Sequence, residues 1–202
     1  MRGPVELPSP PTQSPLGALL RSRRSIRRFA ARPLEREKLS LVLWAAYGCT
    51  DARCRRRTSP SAGALYPLAV YASIREGGVE GLGAGVYEYL PREHALTMVV
   101  GEDRSHALYR ACLGQRFVRD APANIVLVGF RSRIVPWYGE RGERYMILEA
   151  GHVGQNIYLA AAEAGLGTVA VGAFEDAEVL KAIGLGDGDA VALYVFPLGY
   201  PA

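Results

Sequence analysis

Lysine is almost missing from this sequence. Lys38 and Lys181 are the only two among 24 basic residues, so the net charge of +4 rests on arginine. Such a bias fits genome composition and heat adaptation equally well and says nothing of function. Cysteine is scarce too. Cys49, Cys54 and Cys112 are too few and too irregularly spaced for a disulfide framework or for the paired C-x-x-C sets of a zinc site, so no metal is expected. No uninterrupted apolar run has membrane length. The longest candidate, Tyr145 to Gly165, is broken by Glu149, His152, Gln155, Asn156 and Glu163 and is expected to be a core helix. The opening M-R-G-P-V-E-L-P-S-P-P lacks the apolar core of a secretory signal, which makes the cytoplasm the expected compartment.

What is present is the balance of a globular protein, 49% hydrophobic and 22% charged over 202 residues, enough for one well-buried core. Residues 1–15 are expected to form an extended, proline-rich arm and residues 16–202 a single domain. Leu16 to Arg24 suits a short helix. Glu35 to Tyr47 carries Leu39, Val42, Leu43 and Ala46 at helical spacing, with Gly48 as a stop. Leu68 to Ile74 is a β-branched and aromatic strand, and Val86–Leu90 and Leu96–Val100 flank a turn as a hairpin with His94 in solvent. A helix is expected from Asp103 to Ala111. Ile125–Phe130, Thr168–Ala173 and Val191–Phe196 are valine-rich runs of the kind found in central strands, and helices are expected at Tyr145–Ala164 and Asp176–Ile183. The class is α+β.

Two stretches could carry chemistry. Arg21, Arg23, Arg24, Arg27 and Arg28 surround Ser25, and guanidinium forks match phosphate oxygens two at a time. A solvated basic face would look the same. Arg53, Arg55, Arg56 and Arg57 form a second cluster, but without interleaved aromatics it is no platform for single strands, and no nucleic-acid partner is expected. The segment S-P-S-A-G-A-L-Y-P offers small residues that admit a planar ligand close to the backbone, with Ser61 as a hydroxyl partner; a tight turn into a strand is the plainer reading. His152 is expected to be structural. Gln155 and Asn156 suit either backbone contacts or a cofactor or interface role.

Taken in order, R-R-S-I-R-R-F, S-P-S-A-G, the helix with L-E-A-G-H-V-G-Q-N and the following G-L-G-T-V-A-V-G-A-F resemble the nitroreductase superfamily from about Leu16 onward. The S-A-G-A-L-Y-P loop, the Y-E-Y-L-P-R-E-H-A-L hairpin and L-E-A-G-H are most similar to its branch of SagB-type azoline dehydrogenases from thiazole/oxazole peptide biosynthesis. The resemblance implies a three-layer fold with a central, mostly antiparallel mixed sheet between helices. It also implies an intertwined homodimer with FMN in a pocket shared by the two subunits, reduced by NADH or NADPH and reoxidised by a small organic substrate. On that basis Arg23, Arg24, Ser25 and Arg27 meet the phosphate, ribityl chain and ring. Pro60, Ser61, Ala62 and Gly63 reach the flavin from the partner subunit, and the amides of Gly172 and Ala173 stand near flavin N5. Read without the resemblance, V-A-V-G-A-F is simply a buried strand ending at a glycine.

This sequence also departs from the family. Ala64, Tyr66 and Leu68 stand where many nitroreductases have asparagine, glutamine and tryptophan, and the chain ends at Ala202 without the basic residue that often follows, leaving the phosphate to the N-terminal arginines. The Lys-Tyr pair of the azoline dehydrogenases has Arg144 and Tyr145 as its nearest candidates; an arginine cannot serve as a base, whereas a tyrosine can donate or accept a proton. The sequence therefore leaves three functions open: an FMN oxidoreductase with an organic acceptor, an azoline dehydrogenase acting on a peptide, and a flavin-binding module without turnover.

Overall fold

The computed structural model describes residues 3–186 and 188–202. Its elements in chain order are α1 (Pro15–Ser22), α2 (Arg36–Tyr47), β1 (Leu68–Ile74), β2 (Gly85–Leu90), β3 (Ala95–Val100), α3 (Ser105–Ala111), α4 (Arg116–Asp120), β4 (Ala123–Phe130), α5 (Val135–Tyr138), α6 (Arg141–Glu163), β5 (Gly167–Thr168), α7 (Asp176–Ala182) and β6 (Ala190–Gly199). The strands form one six-stranded sheet in the order β3-β2-β1-β4-β6-β5. All its strand pairs are antiparallel, and parallel contact enters only as single-residue bridges such as Ser25 with Thr168.

The two-residue period of the central strands divides the core into two. On one face Val70, Ala72, Ile74, Ile125, Leu127 and Phe196 pack with Val42, Leu43 and Ala46 of α2 and with Met146, Ala150, Val153 and Ile157 of α6. On the other, Tyr71, Val126, Val128 and Val195 pack with Leu108 of α3 and with Val179 and Ile183 on and just after α7. Three layers result, with the sheet in the middle. The long helix α6 crosses the sheet closely because Gly154 faces Phe196: a Cβ there would lie 2.8 Å from the ring. α1 begins at Pro15 behind Ser14, whose hydroxyl accepts the Gly17 amide at 3.1 Å.

One expected strand is cut short. Only Gly167 and Thr168 join the sheet, and Val171 makes an isolated bridge with Val195. The Ala170 amide is taken by the Tyr158 hydroxyl at 2.8 Å rather than by β6, which draws the chain off the ladder and leaves Gly172 and Ala173 exposed. α4 and α5, of five and four residues, are too short for periodicity to have shown. The cysteines make one local link, Cys49 to Cys54, while Cys112 is buried, with its thiol pushed up to about 12 by desolvation. Among the described residues no helix is long and apolar enough to cross a membrane.

Candidate functional site

Two half-sites lie along α6. At its C-terminal half the arginine segment runs beside β5, with the Ile26 amide donating to the Thr168 carbonyl at 2.9 Å. Gly167 permits this approach, since a Cβ would come within 2.7 Å of the Ile26 side chain. The Tyr158 hydroxyl joins Ser25 Oγ (3.0 Å) to the Ala170 amide, and the Arg23 guanidinium lies 5.2 Å from the centre of the same ring. One side chain thus brings the R-R-S-I-R segment and the V-A-V-G-A segment together.

The free donors at this end suit an anionic, polar ligand. Arg24 turns back on the carbonyls of Arg21 and Arg23 (2.7 and 2.8 Å), but Arg27 is exposed, and neither its guanidinium nor that of Arg23 has a hydrogen-bond or ion-pair partner among the described residues. The amides of Gly172 and Ala173 likewise have no acceptor among these residues, and the Gln115 amide holds the segment through the Ala173 carbonyl at 3.0 Å. Thr168 Oγ1 is buried and unpartnered beside a cavity of about 230 Å³ lined by Arg24, Ile26, Tyr158 and Thr168 itself. An unpaired polar atom is costly inside a protein, which applies here to Thr168 Oγ1; the exposed donors of Arg27, Gly172 and Ala173 stay open to an anionic ligand.

At the other half of α6 sits the small-residue loop. Asn156 Nδ2 donates to Ser59 Oγ (3.0 Å) and to the Thr58 carbonyl (3.3 Å), while Ser59 donates to the Ala46 carbonyl, which fixes Pro60 to Gly63 over α6. Gly63, Ala64 and Tyr66 all have positive φ, at 59°, 53° and 51°; the two side-chain-bearing residues are strained by about 1–3 kcal/mol each, as is common at functional loops. A Cβ on Gly63 would lie 2.7 Å from the Tyr138 hydroxyl, and the Tyr138 ring meets Tyr145 edge to face at 5.1 Å. Pro60, Ser61, Ala62, Tyr145, Glu149 and His152 line a cavity of about 180 Å³ here. Tyr145 therefore borders the loop, whereas Arg144 is exposed and outside that lining.

Beneath the loop lies a buried polar cluster. Glu149 is 2% exposed, and Tyr47 donates to its Oε1 at 2.5 Å. The Arg57 guanidinium sits between the rings of Tyr47 (4.2 Å) and Tyr66 (4.6 Å). Desolvation raises the Glu149 carboxyl above its ordinary 4.5, against the opposing pull of Ser61, Tyr47, Arg57 and His152; burial and the adjacent carboxylate likewise raise the Tyr47 phenol. The linkage sign follows: above pH 4.5 the unfolded chain releases a proton that the folded one retains, so this carboxyl costs stability increasingly as pH rises toward its folded pKa. Glu149→Gln, which mimics the protonated acid, should match wild type in thermal melts near pH 4 and exceed it by a margin that widens as pH rises above 4.5. A margin that stays constant with pH would contradict the raised carboxyl.

No residue lines both cavities. Glu149 and Tyr158 are nine positions apart, roughly 13 Å along the helix. Beside Glu149, α6 shows solvent an apolar patch of Ile147 (59% exposed), Leu148 (54% exposed) and Gly151. A cavity of about 340 Å³ between α2 and the β2–β3 hairpin offers no free polar group of this kind. Its His94 bonds Ser40 (2.7 Å) and Tyr89 (2.8 Å), and its Arg36 is held by the Gly81 carbonyl.

Sequence reasoning named Arg23, Ser25 and the small-residue loop, and Arg57 as part of a basic cluster, but missed Tyr158, Tyr138, Glu149 and Tyr47. Glu149 did carry a signal, since it shares the buried helical face of Met146 and Val153.

The chain matches the Nitroreductase family over residues 20–200. It is 45% identical over 161 residues to a nitroreductase-like protein of Methanocaldococcus jannaschii, covering 80% of each chain. It is 31% identical over 161 residues to the microcin B17-processing protein McbC of Escherichia coli, covering 75% of this chain but only 58% of McbC. A crystal structure of a nitroreductase-like protein from Ralstonia eutropha superposes with a TM-score of 0.79 at 28% identity, over 100% of this chain and 88% of that one.

Proposed function

Because the chain belongs to the nitroreductase family, we propose that it is an FMN-dependent oxidoreductase that works as a homodimer. The observation that carries this reading is the bridge Tyr158 makes between two segments: the arginine segment, where the Arg23 and Arg27 guanidiniums are unpaired among the described residues, and the segment from Ala170 that runs on to the unpaired amides of Gly172 and Ala173. Those residues fit a flavin mononucleotide. Arg23 and Arg27 would hold the phosphate and ribityl chain, Arg24 and Ser25 would flank them, and the two amides would face ring N5. Bound there, the flavin supplies hydride acceptance and donation at N5. Pro60, Ser61, Ala62 and Gly63 would come from a second copy; within one chain the loop lines a cavity separate from the one beside Arg24 and Tyr158. The apolar strip at Ile147, Leu148 and Gly151 is where the copies would meet.

NADH or NADPH is the proposed reductant and a small organic molecule the proposed acceptor. Purified protein should release a yellow compound identifiable as FMN on heating, and anaerobic NADH or NADPH should bleach it. Colourless protein that ignores added FMN would end the proposal, whereas bound FMN that no nicotinamide bleaches would point to a binding module without turnover.

A second reading, dehydrogenation of azoline rings in a peptide, is favoured by the similarity to a microcin-processing protein. Tyr145 and Tyr138, both beside the loop, would then be the groups able to exchange a proton with the ring, since an arginine side chain cannot serve as a base. Conversion of an azoline-bearing peptide to the azole by the oxidised protein would establish it.

A further inference from the structure

Glutamate is almost never fully buried without a partner for its charge. Glu149 is buried beneath the Pro60–Ala62 loop, and no cation bonds it: Arg57 is spread over two tyrosine rings and makes no ion pair among the described residues. Its Oε1 accepts from Tyr47, whose oxygen in turn accepts the Leu68 amide at 3.3 Å, so the phenol proton is committed to the carboxyl. Oε2 has no partner at bonding distance, which is where an acid proton would reside. Ser61 shares the loop cavity with this carboxyl. Ser61 Oγ already accepts the Tyr66 amide at 2.9 Å, so its own proton is free to move, and Ser61 lines the loop cavity. Tyr47 from α2, Arg57 and Ser61 from the loop, and Tyr145 and His152 from α6 are the polar and ionisable groups around the acid.

We propose that Glu149 supplies, through Ser61, the proton that must accompany hydride delivery to the organic acceptor in this pocket. The inference rests on the flavin oxidoreductase reading above. Reducing a quinone or an enone requires an electron pair, arriving as hydride from the nicotinamide-reduced cofactor, and one proton. The Oε2–H bond of Glu149 breaks as Ser61 Oγ takes the proton, and the Ser61 O–H bond breaks as a new O–H or C–H bond forms on the acceptor. The carboxylate that remains keeps the Tyr47 hydrogen bond and faces Arg57 until water reprotonates it. A carboxyl whose sole task was to tie α6 to Tyr47 could be glutamine without loss, because the amide oxygen accepts the same bond.

Infrared difference spectra of wild type against Glu149→Gln at neutral pH should show a protonated-carboxyl band that shifts in D₂O, with or without FMN. In anaerobic rapid mixing at saturating FMN, Glu149→Gln should slow quinone reduction about a hundredfold. It should also flatten the pH dependence of that step, while bleaching by NADH or NADPH keeps its rate; Glu149→Asp should recover part of the loss. Ser61→Ala should show the same kinetic loss with the band intact, and it decides the matter alone should Glu149→Gln not fold. An absent band, or quinone reduction unslowed in both variants, overturns the proposal. Colourless protein that still shows the band would instead defeat the flavin reading.

Discussion

Replacing Arg23 and Arg27 together with alanine should strip FMN from the protein while leaving the fold standing. Neither guanidinium has a hydrogen bond or ion pair among the described residues, and Arg23 contributes only its stacking on Tyr158, worth about 0.5–1 kcal/mol at an exposed site. The apo double variant should therefore melt close to wild type. Each guanidinium–phosphate contact contributes about 1.5–3 kcal/mol, so losing two should weaken binding by roughly 10²–10⁴-fold. Arg24 makes a useful contrast, because its side chain is already spent on the carbonyls of Arg21 and Arg23. Arg24→Ala should cost less affinity than either neighbour. FMN titration followed by fluorescence quenching measures all of these, and rising salt should erode the difference. An unchanged dissociation constant for the double variant would remove the arginine segment from the site.

How far the sequence anticipates this architecture depends on whether the information is local. α2 and β1 were legible nearly to the residue because their own periodicity places Leu39, Val42, Leu43 and Ala46 on one helical face and marks Leu68–Ile74 as extended. The strand expected at Thr168–Ala173 failed for a reason lying elsewhere in the chain, since a hydroxyl from α6 captures the Ala170 amide. The site divides in the same way. R-R-S-I-R and S-P-S-A-G are contiguous and could be recognised, whereas Tyr158 acts on Ser25 across 133 positions and Tyr47 on Glu149 across 102. Within its own helix Tyr158 is one more amphipathic residue, and nothing local says which segment its hydroxyl will meet. Glu149 is a carboxylate on an apolar helical face, but the need for a partner does not reveal which residue supplies it.

Phe196→Ala should be the most damaging single core substitution, and the damage should reach the cofactor end. The ring is fully buried on β6, opposite Ile125 in the sheet, and it fills the space that Gly154 leaves on α6. Truncation of such a ring costs about 3–5 kcal/mol, through lost transfer energy and the cavity left behind. For a domain of this length that is a fall in melting temperature of roughly 6–20 °C. Phe196 also meets Tyr158 edge to face at 6.0 Å. Without that support the Tyr158 ring can tilt into the cavity, pulling its hydroxyl from Ser25 and Ala170 and loosening Arg23 above it. FMN retention should thus drop in Phe196→Ala even at temperatures where the protein remains folded. Phe196→Leu, which keeps most of the volume, should recover the larger part of the melting temperature. The informative comparison is with Ile125→Ala, a fully buried truncation in the same core that leaves the Phe196 ring against Tyr158 in place. If the two alanine variants lose FMN equally at equal stability, the loss is general loosening. A greater loss in Phe196→Ala would trace the arginine segment's position through Tyr158 to the sheet.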